Sequence, residues 1–272
     1  MDSILIVAHG SDESRNDCSA SRNAERLTEM LGRKVHYAYK GDAEPTIETA
    51  LSEISAEGSD GIIVLPLFFA PGMFAETIVP RRFGLEPGQK EGVMRLGERD
   101  VRIRIADVFG THPGMRDVLY DAVIPSEPSE GSTCVMLVGH GSKDGKNKRT
   151  VEMNAAYVRG FNIDTESAFN EMNDPSVEEC FDDIVSRGYD NIMVVPMFVS
   201  PSNHSVNEVP EKVGLGPGQR EGVVERGGRT VRVLITPEIG MAPGIAEILA
   251  DMVAGFRDRE GASPPPPSNA SP

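Results

Sequence analysis

The sequence predicts an α/β protein with two duplicated domains, each a doubly wound, four-stranded parallel sheet flanked by helices. The first observation is an internal repeat: GLEPGQKEGV at residues 84–93 returns as GLGPGQREGV at residues 214–223, 130 positions later. A repeat of this length is too long for a solenoid and indicates a duplicated domain. The second observation is that each half alternates short apolar runs with helical patterns, which is typical of βαβ units.

In the first half, four apolar runs predict buried strands, at residues 4–8, 35–39, 62–65 and 101–105. Apolar residues recur at helical spacing over residues 20–31, so a helix is expected between the first two strands. Pro45 and Pro113 are each expected to open a further helix, because proline suits the first helical turn.

The second half repeats this order, with strands predicted at residues 134–138, 167–169, 192–195 and 231–235. Helices are expected after Thr150, from Pro175, and from Pro243 to Phe256. The first domain is predicted to span residues 1–124 and the second residues 132–258, joined by a linker rich in Pro, Ser and Glu. Residues 259–272 are expected to form a disordered tail, because a Pro/Ser-rich segment cannot bury a core.

Composition excludes several classes of protein. The net charge of −15 makes nucleic-acid binding unfavourable. The sequence has no apolar run of about 18 residues and no basic, cleavable leader, so we expect a soluble, cytoplasmic protein without membrane partners. Either a monomer or a homodimer is expected. Its three cysteines form no CxxC pair, which argues against a disulfide framework or a zinc ribbon, and Cys134 is expected to be inert packing in a strand.

Three candidate metal ligands follow strands of the second half. His140, Glu171 and His204 come after its first, second and third predicted strands, respectively. Because the carboxyl ends of neighbouring parallel strands meet at one edge of a sheet, these side chains are expected to converge there. Two imidazoles and a carboxylate suit a first-row divalent ion such as Co, Fe, Ni or Zn.

The first half retains only one of the three ligands. His9 aligns with His140, whereas Gly41 aligns with Glu171 and Phe74 aligns with His204. The first copy is therefore predicted to hold no catalytic metal ion.

A second asymmetry concerns the loop after the first histidine of each half. After His140 it reads SKDGKNKR, and after His9 it reads SDESRND. In an acidic protein, this basic loop before a helix indicates an anion site, although a solvated helix start is the alternative. The residues expected to bind substrate are Ser142, Lys143, Lys146, Arg149, Ser202 and His9.

These motifs carry a family resemblance over residues 1–257. VGHGS, AFNEMNDPS and VVPMFVSPSNHSVNEVP resemble segments of the class II tetrapyrrole chelatases, the CbiX-like group that includes sirohydrochlorin cobaltochelatases and ferrochelatases. The first half shares the frame through LIVAHGS, YAYKGDAEPT and VLPLFFAPGMFAETIVP.

The resemblance implies a chelatase-like fold and a lyase that inserts a metal ion into sirohydrochlorin. It implies that His140 and His204 bind the metal ion and assist the loss of pyrrole protons, with Glu171 beside them. The ion would be a substrate, most simply Co²⁺ for cobalamin, with Fe²⁺ or Ni²⁺ as alternatives, and no organic cofactor is expected. Sirohydrochlorin ferrochelatase activity for siroheme is the alternative within the family.

Two other functions fit parts of the same pattern. A non-catalytic metal or tetrapyrrole carrier would have the same ligands, and only turnover distinguishes it from an enzyme. A histidine phosphatase is suggested by the HGS motif but is disfavoured, because no arginine directly precedes His9 or His140.

Overall fold

Each half of the chain folds into a five-stranded sheet in which four strands are parallel. The computed structural model describes residues 2–10, 19–41, 43–126, 128 and 130–261. The first sheet has the order β2-β1-β3-β5-β4, and the second has the equivalent order β7-β6-β8-β10-β9. The strands are β1 Ser3–Ala8, β2 His36–Tyr39, β3 Gly61–Pro66, β4 Glu91–Leu96, β5 Arg99–Ile105, β6 Thr133–Gly139, β7 Asp164–Phe169, β8 Asn191–Pro196, β9 Glu221–Arg226 and β10 Arg229–Ile235.

Helices cover both faces of each sheet, as the predicted doubly wound fold requires. They are α1 Ser19–Leu31, α2 Ile47–Glu57, α3 Val79–Arg82, α4 Met115–Val123, α5 Lys146–Arg159, α6 Val177–Ser186, α7 Val209–Lys212 and α8 Gly244–Gly261. The apolar faces of α1, α4, α5 and α8 form one core between the two sheets, which includes the fully buried Leu27, Leu119, Val151 and Leu249. The helices α2 and α6 cover the opposite faces. The two halves therefore share a core rather than merely touching.

The predicted count of four strands per sheet is wrong by one. The additional strands, β4 and β9, are antiparallel to β5 and β10 and lie at one edge of each sheet. Their residues mostly alternate between exposed and partly buried, so neither strand has a continuous apolar run of the kind found in β1, β3, β6 and β8. Two-residue hairpin turns join them to the next strands, and glycines with positive φ, Gly97, Gly227 and Gly228, supply the conformation that such turns need.

The repeated GLxPGQxEGV segment is the loop that leads into these edge strands. In the first half, Gln89 Oε1 accepts the Glu86 amide at 3.1 Å and so closes the loop on itself. Leu85 folds over Gly92 so closely that a Cβ on Gly92 would lie 2.4 Å from a Leu85 methyl carbon. Leu215 packs on Gly222 in the same way in the second half. Local packing explains why this segment is so similar in the two copies.

Several helices begin at other residues than predicted. The helix expected from Pro45 begins at Ile47, because the Thr46 hydroxyl accepts the Thr49 amide and caps the helix there. The helix expected after Thr150 begins four residues earlier, at Lys146, whose amide donates to Asp144 Oδ1 at 3.1 Å. The last helix, α8, continues to Gly261, and the rest of the predicted tail lies outside the described residues.

Two further expectations concern cysteines and membranes. Cys134 is fully buried in β6, and burial raises the pKa of its thiol to about 12, as expected of inert packing. Cys180 is buried in α6 with the same consequence, and Cys18 lies outside the described residues. Among the described helices, none has the length and apolar character needed to cross a bilayer.

Candidate metal centre

The three predicted ligands meet at the carboxyl edge of the second sheet. The strand β6 lies between β7 and β8, and the chain places His140, Glu171 and His204 beyond the carboxyl ends of these three neighbours. One ligand atom from each side chain lies within 4.8 Å of the others. Ligand atoms bound tetrahedrally to one ion at about 2.1 Å lie about 3.4 Å apart, so the farthest pair of the triad would have to close by about 1.4 Å to hold a metal ion.

The His140 ring presents one nitrogen to this site. Its Nδ1 lies 3.2 Å from the Gly141 carbonyl, which can only accept, so Nδ1 carries the proton and Nε2 keeps its lone pair. The Nε2 atom lies 4.0 Å from Glu171 Oε2, and the ring meets that of His204 edge to face, with 4.9 Å between centroids. The free nitrogen and the carboxylate therefore face each other.

Gly141 lets the loops that carry the first two ligands approach each other. The Glu171 amide donates to the His140 carbonyl at 3.0 Å. A Cβ on Gly141 would lie 1.9 Å from the Glu171 carbonyl oxygen, and its φ of +92° is in a region that favours glycine. A side chain at this position would force the ligands apart.

His204 begins a short π-helical turn, His204–Glu208, which leads into α7. Such turns are frequent at functional sites. The turn brings Glu208 Oε2 to 2.8 Å from His204 Nδ1, so this carboxylate accepts the Nδ1 proton and leaves Nε2 for a metal ion. Sequence reasoning missed Glu208, although its spacing of four residues from His204 was a usable signal.

A buried amide and a lysine orient Glu208. Asn170 donates through Nδ2 to Glu208 Oε2 at 2.7 Å and accepts from Lys212 Nζ through Oδ1 at 3.0 Å. The hydrogen bonds from His204 and Asn170 lower the pKa of Glu208 to about 2. Glu208 is therefore ionised at neutral pH and favours a protonated Nδ1 on His204.

The first half keeps the shape of this site but only one of its three candidate ligands, His9. The rings of His9 and Phe74 meet edge to face with 4.8 Å between centroids, as those of His140 and His204 do. Phe74 begins an equivalent π-helical turn, and Gly41 offers no ligand atom. Among the described residues, the His140, Glu171 and His204 group is the only cluster of its kind that could hold a metal ion.

The predicted substrate-binding residues lie in different surroundings. Ser142 is engaged within its loop, donating to Asp144 at 2.7 Å and accepting the Asn147 amide at 3.1 Å. Lys143 and Arg149 are exposed, and Lys146 pairs with Glu76 of the first half. Ser202, partly buried, precedes the π-helical turn, and His9 is exposed on the first half.

Comparisons with known proteins agree with this architecture. The CbiX family model matches residues 3–125 and again residues 134–255. A relative described as a probable sirohydrochlorin cobaltochelatase, from Halobacterium salinarum, is 27% identical over 230 residues, which cover 78% of this chain and 76% of the relative. A sirohydrochlorin cobaltochelatase from Saccharolobus solfataricus is 32% identical over 120 residues, covering 44% of this chain and 91% of the relative.

The fold is also that of a solved structure, SirB from Bacillus subtilis with Fe³⁺. It superposes with a TM-score of 0.72 at 21% identity, covering 96% of this chain and 98% of that one. Because the family model matches both halves and covers most of the sequence, the chain belongs to the CbiX family.

Proposed function

We propose that this protein inserts a divalent metal ion, Co²⁺ in the first instance, into sirohydrochlorin as a step of cobalamin biosynthesis. The observation that carries the proposal is the convergence of two imidazoles and a carboxylate within 4.8 Å at the open edge of one sheet. The descriptions of the relatives as sirohydrochlorin cobaltochelatases support the substrate.

The ligand set suits an ion that must be released. The side chains of His140, Glu171 and His204 are 37%, 41% and 31% exposed, so a flat macrocycle can approach an ion held there. Three protein ligands leave coordination positions open, as in catalytic rather than structural metal sites. The pyrrole nitrogens can then enter the coordination sphere before the protein ligands leave it.

The same side chains can accept the protons that the macrocycle loses. Insertion forms four metal–nitrogen bonds and breaks two pyrrole N–H bonds, and each proton can pass to an imidazole Nε2 that has released the metal ion. At His204, the ionised Glu208 stabilises the resulting imidazolium through the 2.8 Å hydrogen bond to Nδ1. At His140, the nearby Glu171 carboxylate has the same effect or takes the proton itself.

The start of α5 supports a polyanionic substrate. Its first turn carries Lys146, Lys148 and Arg149 and no acidic residue, although positive charge at a helix N-terminus is unfavourable to the helix. Cations at this helix start are consistent with binding of the peripheral carboxylates of a tetrapyrrole. Lys143 and Ser202 lie in loops at the same carboxyl edge of the second sheet.

Absorbance of purified protein with sirohydrochlorin and Co²⁺, Ni²⁺ or Fe²⁺, under anaerobic conditions, tests the proposal. We expect insertion above the uncatalysed rate, fastest with Co²⁺, and about 10²–10⁴-fold slower insertion by His204→Ala. His112→Ala is the matched control, because His112 contacts Asp251 at 3.1 Å and lies outside the triad.

Other outcomes would redirect the proposal. Faster insertion of Fe²⁺ would favour ferrochelatase activity for siroheme over cobalt insertion. Tight binding of metal ion and sirohydrochlorin without acceleration of their union would indicate a carrier and contradict the enzymatic role.

A further inference from the structure

The first-half counterpart of the metal centre has the opposite charge. The second-half site contains two carboxylates, Glu171 and Glu208. Gly41 and Ile78 stand at the equivalent positions of the first half, and Lys40 stands in place of Asn170. A site that attracts a cation in one copy is therefore cationic in the other.

Lys40 is a partly buried cation that packs against an aromatic ring. Its Nζ lies 3.8 Å from the centroid of the Phe74 ring, and no carboxylate of the described residues is bonded to it. Burial, followed by repulsion from Arg82, lowers the pKa of Lys40. Arg82 itself is paired with Glu48 at 2.9 Å, so its charge is partly balanced whereas that of Lys40 is not. An anion beside Lys40 would relieve both costs.

Gly41, the residue after Lys40, is not crowded by its described neighbours. Among the described residues, a Cβ built on Gly41 would have no atom closer than the His9 carbonyl oxygen at 3.9 Å. The exposed His9 donates from Nδ1 to the Gly10 carbonyl oxygen at 2.9 Å, so its other ring nitrogen, Nε2, is left to contact a ligand. Together, Lys40, His9 and Phe74 offer a cation, an imidazole and an apolar wall.

This first-half site lies close to the second half. The π-helical turn that begins with Phe74 also carries Glu76, which pairs with Lys146 at the start of α5. The loop before Lys146 begins at His140. A ligand of tetrapyrrole size held at His140 could therefore extend towards the first-half site.

We propose that Lys40, with His9 and Phe74, forms a carboxylate-binding subsite that takes a peripheral carboxylate of the tetrapyrrole while the metal centre acts on its ring nitrogens. The inference rests on the proposed function for the identity of the substrate. The recognised chemistry is a carboxylate, and a free small carboxylate is the other source to be distinguished.

The test compares three variants for binding of metal-free sirohydrochlorin at low salt, followed by absorbance or fluorescence. Lys40→Met removes the charge and keeps the length, Lys40→Arg keeps the charge, and Lys34→Met is a matched control. Lys34 belongs to the same half but lies beyond the opposite end of β2, where it pairs with Glu53 and Glu57. A parallel titration with glutarate, followed by calorimetry, measures binding of a free carboxylate.

We expect Lys40→Met to weaken sirohydrochlorin binding about tenfold, which corresponds to about 1.4 kcal/mol. Lys40→Arg and Lys34→Met should stay within about threefold of the parent protein, and Co²⁺ binding should be unchanged in all three. Unchanged sirohydrochlorin affinity in Lys40→Met would overturn the proposed subsite. If Lys40→Met lost glutarate binding but bound sirohydrochlorin as the parent protein does, the site would belong to a free carboxylate instead.

The failure of this inference is distinct from failure of the proposed function. A parent protein that inserts metal while Lys40→Met binds sirohydrochlorin normally would keep the chelatase and remove the subsite. A parent protein that inserts no metal but binds sirohydrochlorin through Lys40 would keep the subsite and remove the chelatase.

Discussion

His204 Nδ1 donates a hydrogen bond to Glu208 Oε2, with 2.8 Å between the two atoms, and both residues lie in one π-helical turn. The turn thus carries both a candidate metal ligand and the carboxylate that fixes its tautomer. A carboxylate that accepts the second ring N–H of a metal-binding histidine orients the ring and raises its basicity. In the first half the same turn carries Phe74 and Ile78, so ligand and partner are both absent there.

Replacing Glu208 with Gln should weaken metal binding without removing a metal ligand. The neutral amide no longer stabilises positive charge on His204, and we expect Co²⁺ affinity to fall roughly 10–100-fold. Calorimetric titration with Co²⁺ measures the effect. The matched control is Glu211→Gln, an exposed carboxylate three residues further along, which should bind Co²⁺ as the parent protein does. Equal affinities in Glu208→Gln and Glu211→Gln would exclude this role.

Glu208 should also contribute a pH-dependent share of stability. Its pKa is lowered from 4.5 to about 2 in the folded protein by the bonds from His204 and Asn170. A depressed carboxyl pKa stabilises the fold above the unfolded value, and this contribution disappears as pH falls through the folded value. The difference in unfolding free energy between the parent protein and Glu208→Gln should therefore shrink as pH falls from about 4.5 to about 2. Urea unfolding at several pH values measures it, and a constant difference would contradict the assignment.

Gly141→Ala should damage the metal centre by moving Glu171. The added methyl would lie 1.9 Å from the Glu171 carbonyl oxygen, so the two ligand-bearing loops must separate. We expect at least a tenfold loss of Co²⁺ affinity. The control is Gly227→Ala, which also has positive φ but no atom within 4 Å of the new methyl, and it should show only backbone strain of about 1–2 kcal/mol. If both variants lose only stability and bind Co²⁺ normally, the close approach at Gly141 does not position the ligands.

The ion pair between Lys146 and Glu76 should limit substrate binding. Glu76→Gln frees the Lys146 charge, so sirohydrochlorin affinity at low salt should rise a few-fold, whereas Lys146→Met should lower it. Raising salt to about 1 M should reduce both effects, because exposed charges are then screened within about 3 Å. Changes of the same sign in the two variants would mean that the pair acts structurally.

The sequence was sufficient to predict the parallel part of each sheet and the three candidate ligands. The central parallel strands are continuous apolar runs, and the carboxyl ends of neighbouring strands converge, so His140, Glu171 and His204 could be placed together without a structure. The degenerate copy sharpened this prediction, because Gly41 and Phe74 stand where two ligands would be.

The features that were missed depend on weaker or non-local signals. The strands β4 and β9 are half exposed, so their apolar content resembles that of a loop. The roles of Asn170 and Lys212 come from a network that joins β7 to α7, 42 residues apart, which periodicity cannot reveal. The early start of α5 was hidden because basic residues at a helix N-terminus oppose the helix dipole.

The central claim is that the second half alone carries the metal chemistry. Metal insertion by His140→Ala and His9→Ala, measured side by side with Co²⁺ and sirohydrochlorin, tests it most directly. The claim predicts a loss of about 10²–10⁴-fold for His140→Ala, and for His9→Ala a far smaller loss that saturating sirohydrochlorin reduces. Equal losses in the two variants, or a larger loss for His9→Ala, would contradict it.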